Sequence, residues 1–364
     1  MTTVMLLGPA LDAVSGVTTH LNQLFHCSLA RDFQLVHFQV GSEGRRESRL
    51  HKLLRFAWSP FQFLQALRVQ QPQIVHINTS MEQKSYWRDL AYLLVAKAMG
   101  KRVLYQVHGG ALPQVFFGGK PLLTGLLRRV LHLPDAVVLL AQCELRGYRS
   151  FDASLPLEVI PNAIDAGQDA GEKPQSPQSP LSLVYVGRLA ASKGLFELVE
   201  ALALARAAGS TATLALAGSG PAQAALRARV AALRLEGQVS FLGPVFGAAK
   251  NALWRGADVF GFPTHHEGLP YALLESMAAR TPVLICPVGA IPDVVQDGVH
   301  GLFVPPRDPQ ALADAIVRLD RDRALLRRMG QACRERIDSH YAVERLAHDF
   351  RRVYRALLAP PASE

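Results

Sequence analysis

The chain has 364 residues and a formal net charge of +9, with 49% hydrophobic and 19% charged residues. This composition excludes a disordered or fibrous protein and supplies enough apolar residues for two globular cores. The four cysteines are scattered, form no C-x-x-C pair and lie in no His-rich metal pattern, which favours buried free thiols in a reducing compartment.

The N-terminal segment, MTTVMLLGPALDAVSG, predicts a β-strand and not a signal peptide. It has no basic start, and Gly8, Pro9 and Asp12 interrupt its apolar run. No apolar stretch of the chain approaches the roughly 18–20 residues that span a bilayer. We therefore expect a cytoplasmic protein, or one bound peripherally to a membrane.

Short apolar segments alternate with segments of helical period through the first half of the chain. Strands are predicted at 3–8, 33–40, 73–78, 102–107 and 135–140. Helices are predicted at 17–30, 85–99 and 121–132. Continuous apolar strands separated by helices are typical of a parallel sheet covered on both faces. Residues 1–165 therefore predict a Rossmann-like domain.

Residues 44–69 combine positive charge with an apolar, aromatic face. The cations are Arg45, Arg46, Arg49, Lys52 and Arg55. The apolar side chains, at roughly helical spacing, are Leu50, Leu53, Leu54, Phe56, Trp58, Phe61 and Phe63. Such a face suits an anionic bilayer surface, near which each cation contributes ~1 kcal/mol, so residues 45–63 predict peripheral membrane binding. The alternative is that Leu53, Phe56 and Phe63 pack on the sheet while the arginines are solvated.

Nucleic acid is a second class of partner that positive charge can attract. The chain has no aromatic-basic interleaving, no zinc-finger spacing and no RNA-binding signature. We therefore expect no nucleic-acid partner, and an anionic membrane surface or a phosphorylated substrate accounts better for the charge.

The strand–helix alternation stops and then restarts in the second half of the chain. Residues 166–180 are rich in Pro, Gly, Gln and Ser and predict a linker. Strands are predicted again at 181–187, 212–217, 238–243, 258–263, 283–287 and 301–305. A helical tail follows at 308–358. The fold class is thus α/β, with a second doubly wound, Rossmann-like domain at 181–340, and ligands are expected outside the carboxyl ends of the strands.

Two cations follow the strand predicted at 181–187. Arg188 and Lys193 lie in the loop, and Gly194 opens the next helix. The planar donors of arginine, the compact charge of lysine and the free N–H groups of a helix N-terminus together suit a diphosphate. Two solvated surface cations are the alternative reading of the same pattern.

Two carboxylates follow the strand predicted at 258–263. Glu267 lies in the strand-to-helix loop, and Glu275 lies eight residues later on the helix. Carboxylates accept hydrogen bonds from hydroxyls, so the pair suits a sugar and a ribose. Gly268 and Leu269 offer backbone N–H groups in the same loop. The alternative is that Glu267 caps the helix and Glu275 is solvated.

No metal site is predicted. A D-x-D string at Asp320 and Asp322 lies in an arginine-rich helical tail without further ligands nearby and is interpreted as solvated helix surface. We expect Arg188, Lys193 and helix N-termini to supply the positive charge that a metal ion otherwise provides. No other cofactor is predicted.

Several motifs resemble one family of enzymes. The string E-G-L-P-x4-E from Glu267, followed by S-M-A-A-x-T-P-V, resembles the E-x7-E signature of the retaining glycosyltransferases of family 4, which have the GT-B fold. V-G-R-L-x3-K-G at 186–194 is similar to that family's diphosphate motif. Further matches are V-I-P-N-A-I-D at 159–165, A-G-S-G-P at 217–221, F-L-G at 241–243 and A-D-V-F at 257–260. The resemblance implies two domains facing a central cleft, the first of which (1–165) binds the acceptor, with the helix at 341–364 packing back on the first domain.

The resemblance also implies roles for the residues of the second domain. Arg188 and Lys193 would hold the donor diphosphate, Glu267 the donor sugar and Glu275 the ribose. Gly268 and Leu269 would lend backbone donors. The loops that carry Gly218 and Leu242 would flank the base, although Leu242 also fits plain core packing.

The match is weaker in the first domain. The family has two adjacent glycines before the first helix, whereas this chain has Ser15 and Gly16, and the serine side chain limits close approach of a phosphate. His108 matches a histidine that the family places near the donor sugar. His20, His265 and His266 are interpreted as bystanders.

The implied reaction moves a sugar from a UDP- or GDP-sugar to an acceptor hydroxyl with retention, the acceptor being a lipid-linked or glycan precursor. Two alternatives stay open: a sugar-nucleotide epimerase of similar fold, and a non-catalytic nucleotide-sugar-binding module. The intact R-x4-K and E-x7-E pairs argue against both.

Overall fold

The computed structural model describes residues 1–44, 47–165, 167 and 179–360, without the side chains of 49, 50 and 53. The chain divides into two compact units. The first unit comprises Met1–Ala163 with Val343–Glu364, and the second comprises Ile164–Ala342. Most of the segment 166–180, for which a linker is predicted, lies outside the described residues.

The first unit is built on a parallel sheet of six strands. They are β1 (Thr2–Gly8), β2 (Phe33–Gln39), β3 (Ile74–Met81), β4 (Arg102–Gly110), β5 (Ala136–Leu139) and β6 (Leu157–Val159). Their order is β2-β1-β3-β4-β5-β6. Along β1, Val4 and Leu6 enter the core on one face, and Met5 and Leu7 enter the core on the other. Because successive side chains point to opposite faces, a strand covered on both sides has a continuous apolar sequence.

Seven helices connect these strands in the described part of the first unit. They are α1 (Gly16–His26), α2 (Leu29–Asp32), α3 (Arg49–Gln70), α4 (Gln83–Ala98), α5 (Pro113–Phe116), α6 (Pro121–Leu131) and α7 (Gln142–Phe151). The helix predicted at 17–30 is interrupted, because Cys27 is extended between α1 and α2. Ser15 caps α1, since its hydroxyl accepts from the Thr18 N–H at 3.2 Å.

The second unit repeats this architecture. Its strands are β7 (Ser182–Val186), β8 (Thr213–Ala217), β9 (Val239–Gly243), β10 (Val259–Phe262), β11 (Val283–Ile285) and β12 (Gly301–Phe303). They form a parallel sheet in the order β12-β11-β10-β7-β8-β9. A single 3-10 turn (Ala191–Lys193) follows β7. The helices are α8 (Leu195–Ala207), α9 (Gln223–Ala232), α10 (Gly247–Gly256), α11 (Tyr271–Ala278), α12 (Ile291–Val294), α13 (Pro309–Arg321) and α14 (Arg323–His340).

The C-terminal helix, α15 (Val343–Leu358), belongs to the first unit. It is amphipathic, and its buried side chains join the core that contains Val4 and Leu6. Tyr354 donates or accepts a hydrogen bond at 2.7 Å with Nδ1 of His76 on β3, which ties the helix to the sheet.

Each sheet reverses its winding once, which confirms the predicted doubly wound α/β fold. In the first sheet the chain moves from β1 outward to β2 and then crosses to β3 on the other side of β1. In the second sheet the reversal lies between β7 and β10. Ligands of open α/β sheets bind at the carboxyl ends of the strands beside such a reversal. Within the described residues, no helix is long and apolar enough to cross a membrane.

Candidate active site

The loops after β7 and β10 lie side by side at the reversal of the second sheet, since these strands are hydrogen-bonded neighbours. The loop after β7 ends at Gly194, which has φ of +69° and precedes α8. A Cβ at Gly194 would lie 2.0 Å from the carbonyl oxygen of Pro263, just after β10. Glycine is therefore required for this close approach, which brings the N-terminus of α8 against the second loop.

Lys193 and the first carboxylate predicted from the motifs meet at this point, and Arg188 lies in the same loop as Lys193. The Lys193 ammonium forms an ion pair with Oε1 of Glu267. Arg188 is exposed and forms no ion pair with any described residue, and its carbonyl accepts from the Tyr185 hydroxyl at 2.8 Å. Burial raises the pKa of Tyr185, and the Glu267 charge raises it further. The arrangement offers a free guanidinium, a paired ammonium and a helix N-terminus to an anion.

Thr264 and His265 hold the Glu267 loop in place. Thr264 is fully buried, and its hydroxyl lies 3.2 Å from Glu267 Oε1 and 3.3 Å from the carbonyl oxygen of Ser192. The backbone N–H of His265 donates to the same Ser192 carbonyl at 3.0 Å, and its Nε2 lies 2.9 Å from Glu197 on α8. His265, interpreted from the sequence as a bystander, thus links the two loops.

Gly289, in the loop after β11, makes a second close backbone contact with the Glu267 loop. Its φ is +56°, and a Cβ there would lie 1.8 Å from the Glu267 carbonyl oxygen. No side chain fits at this position unless the Glu267 backbone moves. Gly194 and Gly289 therefore hold the loop of Glu267 between two tight backbone contacts.

Glu275 lies on α11 and does not contact Glu267. Its Oε1 accepts from the Lys250 ammonium at 2.7 Å, and its Oε2 accepts from the Trp254 indole N–H at 3.2 Å. Both partners come from α10. Burial raises the pKa of the neighbouring Tyr271, and the Glu275 charge adds to the rise. Glu275 is thus a fixed, neutralised carboxylate and not a solvated one.

The other predicted contacts of the second unit occupy the same edge of the sheet. Leu269 is buried and Gly268 is half-buried in the Glu267 loop. The N–H of Gly218 donates to the Gly243 carbonyl at 2.7 Å, and a Cβ at Gly218 would lie 1.8 Å from the Gly187 carbonyl oxygen. Leu242 is 46% exposed, so plain core packing does not account for it.

His108 lies near the carboxyl end of β4 in the first unit. Its Nε2 is 2.8 Å from Oδ1 of Asn78, whose amide nitrogen donates to the Leu7 carbonyl at 3.0 Å. This orientation makes Asn78 Oδ1 the acceptor, so Nε2 of His108 carries the proton and Nδ1 remains an acceptor. Burial lowers the pKa of His108, with His20 and His76 adding to the effect, and His108 is therefore neutral near pH 7.

His20 is one of the groups that lower the pKa of His108. It is fully buried on α1, its ring centroid lies 4.9 Å from that of His108, and burial lowers its pKa to about 4. Gly16 is exposed at the first position of α1, directly after the capping Ser15. The Ser15 hydroxyl is engaged with Thr18 and so does not project freely over the helix N-terminus.

The D-x-D string has a structural role, which corrects its interpretation as solvated surface. Asp320 accepts from the Ser210 hydroxyl at 2.6 Å and pairs with Arg323 at 2.9 Å. Asp322 caps α14 by accepting from the Leu325 N–H at 2.8 Å. Among the described residues, no group of three or more His, Cys, Asp or Glu side chains is placed to hold a metal ion.

Four residues of the site were not predicted from the sequence. They are Lys250, Trp254, Thr264 and Gly289. Thr264 is the first residue after one predicted strand and Gly289 the second residue after another, so the rule that ligands bind at carboxyl ends could have pointed to them. Lys250 and Trp254 precede Glu275 by 25 and 21 residues and carry no local signal.

Two family models match the chain and together cover most of it. Residues 14–168 match "Glycosyltransferase Family 4", and residues 168–336 match "Glycosyl transferases group 1". The second match contains Arg188, Lys193, Glu267 and Glu275.

Curated relatives agree with these models. A glycogen synthase from Mycobacterium tuberculosis is 32% identical over 202 residues, which are 55% of this chain and 48% of that protein. The chain thus matches about half the length of that relative. A GDP-mannose-dependent alpha-(1-6)-phosphatidylinositol monomannoside mannosyltransferase from the same organism is 30% identical over 275 residues, 69% of this chain and 68% of that protein.

Solved structures match over both units. Sucrose-phosphate synthase from Thermosynechococcus elongatus has a TM-score of 0.76 at 21% identity, covering 98% of this chain and 99% of that one. HepE from Anabaena, in complex with UDP-glucose, has a TM-score of 0.76 at 17% identity, covering 98% and 100%. At these identities the likeness establishes the fold.

Proposed function

This chain belongs to the glycosyltransferases of group 1 and family 4 and has the GT-B fold, and we propose that it transfers a sugar from a nucleoside-diphospho-sugar to an acceptor hydroxyl. The family membership confirms the resemblance seen in the motifs. The donor is a UDP- or GDP-sugar, transfer proceeds with retention, and the acceptor is a lipid-linked or glycan precursor.

The observation that carries the proposal is the contact of Lys193 with Glu267 at the reversal of the second sheet, with the exposed Arg188 in the same loop as Lys193. A nucleoside-diphospho-sugar presents a diphosphate next to sugar hydroxyls. The two cations and the α8 N-terminus suit the first, and the Glu267 carboxylate suits the second. Glu275, held by Lys250 and Trp254, is assigned to the ribose.

The costly step of such a transfer is departure of the diphosphate, on which negative charge grows as the glycosidic bond breaks. Fixed cations aimed at that charge stabilise the transition state, and loss of one such donor typically costs ~3–4 kcal/mol. Arg188 is the better placed of the two cations, because it is exposed and forms no ion pair with the described residues. The neutral His108 can accept from a sugar hydroxyl at Nδ1, while Gly16 and the α1 N-terminus are assigned to an anionic group.

A donor and acceptor screen tests the proposed activity. The melting temperature is measured with UDP, GDP, ADP and their sugars. The nucleotide of the true donor, and its sugar, are expected to raise the melting temperature more than the others, because a ligand at 100 times its Kd stabilises the folded state by ~2.7 kcal/mol. Transfer is then measured in EDTA with lipid-linked and water-soluble acceptors. Epimerised donor without acceptor would support the epimerase, and binding without turnover would support a binding module. Activity lost in EDTA and restored by Mg²⁺ or Mn²⁺ would contradict the metal-independent mechanism.

We further propose that α3 carries the enzyme to an anionic membrane surface, where a lipid-linked acceptor resides. Leu54, Trp58 and Phe61 recur at helical spacing and are 59%, 64% and 61% exposed. The rings of Trp58 and Phe61 are 5.4 Å apart, so they form one apolar stripe. Phe63 is buried in the core, so for this residue the alternative prediction, packing on the sheet, holds.

The charge beside this stripe is smaller than the sequence suggests. Arg55 pairs with Glu47 at 2.9 Å and donates to Ser42 at 2.8 Å, so it is not free for lipid phosphates. Lys52 is exposed. Arg45 and Arg46, and the side chain of Arg49, lie outside the described residues.

Vesicle sedimentation tests the membrane proposal. We expect binding to vesicles that contain phosphatidylglycerol but not to phosphatidylcholine alone, with affinity falling as salt rises. Trp58→Ser with Phe61→Ser is expected to weaken binding at least about tenfold, because each burial contributes ~1.5–3 kcal/mol. The joint change of Arg45, Arg46 and Arg49 to Glu is expected to do the same.

Leu204→Ser is the matched control, because Leu204 is an exposed leucine of the second unit. It is expected to leave sedimentation unchanged. Equal recovery with neutral and anionic vesicles, or an equal effect of the control and the α3 variants, would contradict the proposal.

A further inference from the structure

The ion pair between Lys193 and Glu267 joins two groups that have different tasks in the proposed donor site. Lys193 is assigned to the diphosphate and Glu267 to the sugar. In the structure the Lys193 ammonium contacts Oε1 of Glu267, and Oε1 also lies 3.2 Å from the Thr264 hydroxyl. Lys193 therefore faces a carboxylate at the place where it would meet a phosphate.

The two members of the pair differ in how firmly they are held. Thr264 and the tight contact of Gly289 fix the Glu267 loop, and the Glu267 side chain is 12% exposed. Lys193 lies on a single 3-10 turn, and its side chain is 24% exposed. Its ammonium is 5.8 Å from the centroid of the Phe262 ring, at the end of four flexible methylenes. Lysine is thus the member that can change partner.

We propose that Glu267 and the donor diphosphate compete for the Lys193 ammonium. A diphosphate carries more negative charge than a carboxylate and draws the ammonium toward itself. Glu267 Oε1 then loses its cation and keeps the Thr264 hydroxyl nearby, so the full carboxylate charge becomes available to the hydroxyls of the sugar. The diphosphate and sugar parts of the donor therefore bind cooperatively. Free nucleoside diphosphate binds more weakly than it would if Lys193 were not paired with Glu267. The inference rests on the proposed nucleoside-diphospho-sugar donor.

Replacing Glu267 with glutamine separates this competition from a structural role. The amide keeps the shape and can still accept from Thr264, but it no longer holds Lys193 by charge. Binding of UDP and GDP is measured by titration calorimetry in EDTA. Glu267→Gln is expected to tighten nucleoside diphosphate at least about fivefold, within the usual range of coupling between two ligands. Uridine and guanosine are expected to bind the variant and the native protein equally.

A double-mutant cycle assigns the gain to Lys193. Lys193→Gln is expected to weaken nucleoside diphosphate, and Glu267→Gln added to it is expected to change the Kd less than twofold. Glu200→Gln is the control, because it removes a carboxylate that pairs with Arg229 at 2.7 Å elsewhere in the same unit. It is expected to leave the Kd unchanged. Melting temperatures of all variants verify that each is folded.

Three results would count against the inference or its premise. Unchanged or weaker diphosphate binding by folded Glu267→Gln overturns the competition. If Glu267→Gln still tightens diphosphate binding in the Lys193→Gln background, the competition is also overturned. The gain in affinity would then come from removing direct repulsion between Glu267 and the diphosphate, without any part played by Lys193. If the native protein binds none of UDP, GDP and ADP, the proposed function itself fails and the inference fails with it.

Discussion

Arg188→Ala and Glu267→Ala are each expected to lower turnover by about 10² or more, the usual loss when one group that stabilises the transition state is removed. Arg188 is exposed and unpaired among the described residues, so its truncation removes charge at the phosphate without disturbing packing. Glu267 contacts Lys193 and Thr264 but is partly exposed, so its loss leaves no deeply buried unpaired charge. Initial rates with saturating donor and acceptor measure both effects.

The control for these variants is Arg318→Ala, which removes an exposed arginine of α13 away from the site. It is expected to retain full turnover. The two site variants are expected to keep the native melting temperature within a few degrees, in the range of ordinary surface changes. Near-normal turnover in either variant would remove that residue from the proposed mechanism.

Gly289→Ala is expected to reduce both stability and activity. Alanine at a φ of +56° costs roughly 1–2 kcal/mol for the left-handed backbone. The Cβ would also lie 1.8 Å from the Glu267 carbonyl oxygen, and relieving such an overlap costs about 1–3 kcal/mol more. The relief displaces Glu267, and a shift of about 1 Å in a catalytic group can lower the rate about 10²-fold.

Gly298→Ala isolates the backbone cost. Gly298 has a φ of +73°, and nothing lies within 4 Å of a Cβ built there. Denaturant unfolding and turnover are measured for both variants. We expect Gly298→Ala to lose stability only through its backbone and to keep its turnover per folded molecule. Equal stability losses, or normal turnover in Gly289→Ala, would show that the Gly289 contact does not position Glu267.

The sequence by itself determined the two parallel sheets and the loops that carry the chemistry. Continuous apolar strands alternating with helical periods require a sheet buried on both faces, and this pattern is local. The motifs around Arg188 and Glu267 are also contiguous in the chain. Their placement after strands was therefore predictable before any contact was known. The short strand β6 was not predicted, because it has only 3 residues, and neither was α7, whose 10 residues are mostly polar.

Only the tertiary structure decided which partners the functional side chains have. Lys193 reaches Glu267 across 74 residues, because the neighbouring strands β7 and β10 bring their loops to one edge. Lys250 on α10 reaches Glu275 on α11 across 25 residues. On α3, too, only the structure shows that Arg55 forms an ion pair with Glu47 while Trp58 and Phe61 are exposed. Spacing along the chain specifies which face of an element a residue occupies. The three-dimensional structure sets whether its charge is free or paired, because that depends on which groups the fold brings within a few ångströms.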